Sequence, residues 1–379
     1  MIRRFFKEWL FNVLAWILIT NLYALAILTN MKVIFKLAKL EEVIDSNYMA
    51  SYFVSNYQFF EATLFGLFFG TLFFFSNYLI DKIFSQNMPF GKVILLKTIS
   101  YFFAMVLVFF TMGAIFELMY FYPIDVNKVI HENEEVRDPV IWLSFLTFMM
   151  FTAVLINFLI QMSYKIGPKT VFPLYLGKYH KPKSEDRIIL FLDLKDSTGI
   201  AEELGHMKYS RLIQDCYHDL NKIVFRLNAE VYQYVGDEVV LTWKNKKNNL
   251  SKYAIRATFE FKRILTKRSK HYLDKYGLLP EFKGGLNVGN VSVAEIGEVK
   301  RDIAYHGDVV NTASRLQEAA KEYNKTLMVS EKVINELTNY DGLHVEEMPT
   351  IQLKGKKRMV KIFGIEEYAG VKAEDLSAV

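Results

Sequence analysis

Cysteine is almost missing from this sequence. Cys216 stands alone among 379 residues, which excludes a disulfide scaffold and a cysteine-based structural zinc site. Proline and glycine are also sparse, at 8 and 19 residues, so collagen-like, low-complexity and disordered readings fail. A formal net charge of +5 against 23% charged residues is too small to argue for nucleic acid. No GxxxxGK(S/T) loop occurs, which removes a P-loop site. Gly284, Gly285 and Gly289 do not follow a strand and open a helix, which removes a dinucleotide fingerprint. A serine nucleophile elbow, internal repeats and coiled-coil heptads are absent as well. The chain is instead rich in apolar side chains, 52% hydrophobic and 15% aromatic. That composition points to a membrane protein with a soluble part.

Crossing a bilayer core of roughly 30 Å takes about 20 mostly apolar residues. Four stretches reach that length: about Trp9 to Thr29, Tyr57 to Ile80, Val93 to Phe121 and Val140 to Met162. None has a polar face of the kind a buried helix of a soluble core carries on its rim. Lys97 and Glu117 on the third stretch sit near its ends, where long side chains reach the interface. The first stretch exceeds a signal-peptide core and reads as a signal anchor. Arg3, Arg4 and Lys7 precede the first span, Lys82 and Lys92 lie in the second loop, and Lys165, Lys169, Lys178, Lys181 and Lys183 follow the fourth. The third loop is acidic. This distribution sets both termini on the cytoplasmic side of a multi-pass protein, in a bacterial inner (plasma) membrane. Lys32, Lys36 and Lys39 in the first loop run against it.

The composition changes after Ser163. A linker over 164–186 carries Pro, Gly and Lys; 187–369 reads as a cytosolic α/β domain and 370–379 as a tail. RIILFLDL is a buried strand ending in an acid, followed by a helix of about 25 residues from Thr198. EVYQYVGDEVVLTW reads as a hairpin around a Gly-Asp turn. A helix over about Leu250 to Tyr272 precedes FKGGLNVGNVSVAEIG, whose Gly289 and Asn290 suggest a second hairpin turn. A third helix runs from Asp308, a fitting cap, through Tyr323. The fold class is therefore multi-domain: an all-α four-helix transmembrane domain, then an α+β ferredoxin-like domain of order β-α-β-β-α-β with additions.

Asp193 and Asp237 occupy turns at the ends of neighbouring strands. Two carboxylates with a backbone carbonyl suit Mg²⁺ or Mn²⁺, and Asp196 and Glu238 compete for the same role. As single residues, both acids are equally ordinary turn formers. Asn311 and Arg315 share a helix face four residues apart, an arrangement suited to a phosphate and equally to solvent. Lys354, Lys356, Lys357 and Arg358 form a basic loop that fits either polyphosphate or water.

Taken together and in order, FLDLKDST, YQYVGDEVVLTW, GLNVGNVSVAEIG, GDVVNTASRLQEAA and LKGK resemble the catalytic domain of class III nucleotidyl cyclases, over nearly the whole second half. The resemblance implies that Asp193, the Leu194 carbonyl and Asp237 hold two metal ions, Mg²⁺ or Mn²⁺. It implies that Asn311 orients the ribose, Arg315 stabilises charge at the α-phosphate and Lys354 holds the terminal phosphates. It further implies a homodimer, metals on one copy and Asn, Arg and Lys on the other. The base-reading positions depart from the family: they fall on Gln233 and Ala304. Gln both donates and accepts, and the Glu and Cys of guanylate cyclases are missing, which favours ATP. Guanylate cyclase and a catalytically silent nucleotide-binding sensor are the competing readings; the intact reaction set argues against the second. A small transporter with a regulatory tail lacks the broken helices such proteins carry.

Overall fold

The computed structural model describes residues 2–38, 57–83, 88–121, 139–166, 173–174, 176–245, 251–299, 301–337, 342–351 and 359–368. The chain divides into two compact units, Met1–Lys165 and Ile166–Val379.

The first unit holds four helices: α1 (Ile2–Ala38), α2 (Tyr57–Ile83), α3 (Phe90–Phe121) and α4 (Pro139–Ile166). Each contains a window long and apolar enough to cross a membrane: Phe5–Asn30, Phe59–Ile83, Phe90–Met112 and Leu143–Ser163. Apolar residues surround these helices on all sides, the pattern that suits lipid rather than water as the outer solvent. Phe11, Phe103 and Phe151 accordingly stay exposed while Trp16, Phe69, Phe73, Tyr101 and Met149 form an aromatic interior. Gly66 and Gly70, four apart on α2, let α1 come close: a Cβ on Gly66 would lie 2.6 Å from the Ile17 Cα. Thr20 of α1 donates to the Ala62 carbonyl of α2 at 2.7 Å. Lys97 does not snorkel as its position suggested. It is buried, with its ammonium 2.8 Å from Asp81 of α2, since an ion pair between neighbouring helices avoids exposing the charge to lipid. The Glu117 side chain lies outside the described residues.

The second unit contains β1 (Lys183–Leu194), α5 (Ser197–Arg226), β2 (Glu230–Val235), β3 (Glu238–Lys244), α6 (Ser251–Lys267), α7 (Ser269–Tyr276), β4 (Phe282–Ile296), β5 (Asp302–His306), α8 (Asp308–Glu322), β6 (Leu327–Ser330), α9 (Glu331–Glu336), β7 (Leu343–Ile351) and β8 (Val360–Glu367). The mixed sheet runs in the order β2-β3-β1-β4-β6-β8-β7, with β5 paired to β4. β1 is central and antiparallel to both β3 and β4, whereas β4 and β6 are parallel.

Strand alternation decides which face each side chain serves. Ile188, Leu190, Leu192 and Leu194 of β1 join Leu212, Cys216 and Leu220 of α5 and Phe259 of α6 in the larger core. Ile189 and Phe191 point the other way, to Val309 and Ala313 of α8. The sheet thus carries α5 and α6 on one face and α8 on the other.

Four local expectations change. β1 begins at Lys183 rather than Arg187. The second helix is two, broken at Arg268. No turn forms at Gly289 and Asn290: β4 continues through them, paired residue for residue with β1 from Phe282 to Val293. Gly289 reaches this with φ +149°, an option open to glycine, and the reversal falls instead in the loop before β5. The cap of α8 is Gly307, with Asp308 in the first helical turn.

Candidate active site

Asp193 is the penultimate residue of β1, so the alternation that sends Ile189 and Phe191 toward α8 sends Asp193 there as well. In register, it faces Glu238 across β3. Asp237 sits beside them in the two-residue turn between β2 and β3, where Gly236 takes φ +62°. Tyr217 of α5 holds that turn by donating from its hydroxyl to the Gly236 carbonyl at 3.1 Å.

The three acids influence one another. Burial raises the Asp193 pKa; Lys321 pulls it down and Asp237 pushes it back up, leaving it above the usual carboxylate range. Glu238 is pushed up to about 7, first by burial and then by the charges of Asp193 and Asp237. Asp196 takes another position: it is the left-handed residue before α5, with its carboxylate over Gly199. Leu194 is fully buried, and its side chain carries no donor atom, so any part it takes in holding a ligand falls to its backbone carbonyl.

On the opposite wall, α8 lies directly against β4. A Cβ on Gly285 would come within 2.2 Å of the Ala313 oxygen and the Gln317 nitrogen, so glycine is what permits the seat. Ala313, Gln317 and Lys321 follow one another at helical spacing along this inner face. Gln317 donates to Asp193 Oδ2 at 3.2 Å and Lys321 donates to the same oxygen at 2.5 Å. Neither residue was singled out from sequence. The four-residue spacing from Ala313 was the available signal.

Asn311 and Arg315 present a different face. Asn311 is exposed, and the half-exposed Arg315 holds both Glu318 oxygens at 2.7 Å. They do not meet Asp193 within this chain. Gln233 is exposed on β2 and Ala304 buried on β5. Each neighbours one of a stacked tyrosine pair, Tyr232 and Tyr305, with centroids 4.4 Å apart. Lys354 lies outside the described residues.

The donor chemistry fits a divalent cation. Two carboxylates and a backbone carbonyl are hard oxygen ligands, and Asp193 already attracts a cation, the Lys321 ammonium.

Comparison with known proteins identifies the class to which this fold and acid cluster belong. Residues 179–366 match the family described as the adenylate and guanylate cyclase catalytic domain. The second unit is therefore a class III cyclase catalytic domain, preceded in the chain by four helices able to cross a membrane. An adenylate cyclase 2 from Rhizobium meliloti (strain 1021) is 26% identical over 223 residues, 59% of this chain and 61% of that protein. A receptor-type guanylate cyclase from Caenorhabditis elegans is 24% identical over 199 residues, 51% of this chain and 18% of that protein. The chain thus spans less than two thirds of either relative. Among solved structures, a bacterial light-regulated adenylyl cyclase aligns with TM-score 0.49 and 18% identity, covering 66% of this chain and 70% of that one. The family generally uses divalent metal ions, and its members bind nucleotide and act as dimers.

Proposed function

We infer that this protein is a membrane-bound adenylate cyclase that converts ATP to 3′,5′-cyclic AMP and pyrophosphate as a homodimer, with both termini cytoplasmic. The observation that carries the reading is the division of one family domain into two sets of groups. Asp193, Asp237 and Glu238 gather at the end of β1 and β3, while Asn311 and Arg315 are turned away on α8. Two copies placed face to face would complete each set with the other, which supports a shared site.

Asp193, Asp237 and the Leu194 carbonyl would hold Mg²⁺ or Mn²⁺, two ions per site. When bound, such ions lower the pKa of the ribose 3′-hydroxyl and neutralise the triphosphate. The protein's own part is positioning and electrostatics. Asn311 fixes the ribose. Arg315 leaves Glu318, an exposed pair of little net worth, to meet the charge that develops on the α-phosphate. Lys354 holds the terminal phosphates. The 3′-oxygen, its proton released to solvent, bonds to the α-phosphorus as the bond between that phosphorus and the bridging oxygen breaks, and pyrophosphate departs.

Gln233 reads the base with an amide that donates and accepts, while buried Ala304 offers no polar side chain. The missing guanine-reading Glu favours ATP. Cyclic GMP remains the second product to test, because the same amide suits guanine.

The test is turnover by membranes carrying the protein, given ATP or GTP separately with Mn²⁺, with Asp237→Ala as control. Cyclic AMP from wild type alone is expected. Cyclic GMP instead would reassign the base, and no product from either would favour a silent nucleotide-binding sensor.

A further inference from the structure

We propose that Lys321 is a resident counter-ion of the metal-binding end of β1, and that a divalent cation binds Asp193 by displacing it. The proposal rests on the reading of Asp193 as a metal ligand.

The observation is a contact between residues 128 apart in sequence. Lys321 Nζ lies 2.5 Å from Asp193 Oδ2, and Gln317 donates to the same oxygen from 3.2 Å. The two donors differ in freedom. Gln317 is 3% exposed, under α8 where the helix rests on Gly285, and it has nowhere to go. The Lys321 side chain is 34% exposed, on a flexible four-carbon stem at the last turn of α8, and can move its ammonium into water. Gln317 therefore orients the carboxylate permanently, whereas Lys321 is removable.

Charge makes the exchange necessary. A divalent ion on Asp193 within reach of a fixed ammonium would face like-charge repulsion in a half-buried site. Without Lys321, Asp193 would stand beside Asp237 and Glu238 with no cation to offset them. The lysine relieves that crowding until metal arrives. Nothing else among the described residues forms an ion pair with Asp193.

Lys321 sits on the helix that presents Asn311 and Arg315. In a homodimer those residues serve the other site, so Lys321 and the groups that act at the neighbouring site share one helix.

The test is Mn²⁺ binding to the full-length protein in detergent, followed by the electron paramagnetic resonance of free Mn²⁺ without nucleotide. Lys321→Gln should bind the ion roughly tenfold more tightly, the size of one charged hydrogen bond. Lys321→Arg should bind as wild type does, and Asp193→Asn should lose the ion. Thermal midpoints confirm that the variants fold. A second readout is amine labelling read by peptide mass: Lys321 should react faster when Mn²⁺ is present. Equal or weaker binding by Lys321→Gln, or labelling that ignores Mn²⁺, would overturn the exchange. Unchanged binding by Asp193→Asn would instead overturn the assignment of Asp193 as a ligand.

Discussion

The seat of α8 on β4 is the contact on which the site depends, and Gly285→Ala probes it with one methyl group. The added Cβ would lie 2.2 Å from the Ala313 oxygen and the Gln317 nitrogen. Ordinary contact needs about 3.5 Å, so helix and strand must separate by roughly 1 Å. Both obstructing atoms belong to the α8 backbone, which cannot swing aside as a side chain would. Overpacking of this kind costs about 1–3 kcal/mol, less the fraction of a kcal/mol gained by removing a glycine from the unfolded chain. The displacement also carries Asn311, Arg315, Gln317 and Lys321 with it. A misplacement of about 1 Å at groups that act by position lowers turnover roughly 100-fold. Gly284→Ala is the matched control, because its Cβ meets the side-chain ends of Leu327 and Leu192, not helix backbone, at 2.9 and 3.1 Å. The assay is cyclic nucleotide formation by membranes, paired with thermal unfolding of the solubilised protein. Gly285→Ala should lose most activity and some stability, while Gly284→Ala should lose little of either. If Gly285→Ala kept more than half the activity and unfolded with Gly284→Ala, the argument from helix seating would be wrong.

Arg187 is 1% exposed and ties Glu230 at 2.6 Å to Glu185 at 2.7 Å, so Arg187→Met should cost about 3 kcal/mol by taking the guanidinium from Glu230 and leaving Glu185 with Lys178 and Tyr179 alone. Burial pushes Glu185 up, but hydrogen bonds from Lys178 and Arg187 outweigh it and bring Glu185 down to about 2. A depressed acid stabilises the fold above its unfolded pKa and loses that contribution as pH falls through the folded value. Denaturant unfolding should therefore show a gap between wild type and Arg187→Met that is wide at neutral pH and narrows between about pH 4.5 and 2; a gap independent of pH would contradict the pairing. In the membrane unit, Gly66→Leu should separate α1 from α2, since even a Cβ there meets the Ile17 backbone at 2.6 Å. Cross-linking between cysteines introduced along the two helices should fall, and unchanged cross-linking would refute the close crossing.

Much of this architecture was legible because it is local. Four apolar runs marked the four membrane helices, and the Gly-Asp pair marked the turn between β2 and β3. Two of the misreadings share one cause, which is that partners distant in sequence override local signals. Gly289 and Asn290 look like a turn by themselves, yet β1 offers twelve consecutive partners, and pairing along that whole length is worth more than a reversal. Lys97 looks like a snorkelling residue until Asp81 is found on the adjoining helix.

The site divides along the same line. Asp237 lies in the turn expected of it, but Asp193, expected in a turn, is inside β1 because its pairing with Glu238 and Lys283 carries the strand past it; Lys321 is an unremarkable basic residue in the last turn of an amphipathic helix. Period two supplies most of the missing step. Ile189 and Phe191 are apolar and adjoin a helix, so Asp193, two residues on, must either face that helix or face water. It can face the helix only if the helix supplies a donor there. Ala313, small enough to lie on Gly285, fixes which side of α8 touches the sheet, and four and eight residues later that side carries Gln317 and Lys321. What the local pattern lacks is which face of the sheet α8 covers and where along β4 it rests; with Ala313 seated on Gly285 beside β1, the spacing brings Gln317 and Lys321 to Asp193.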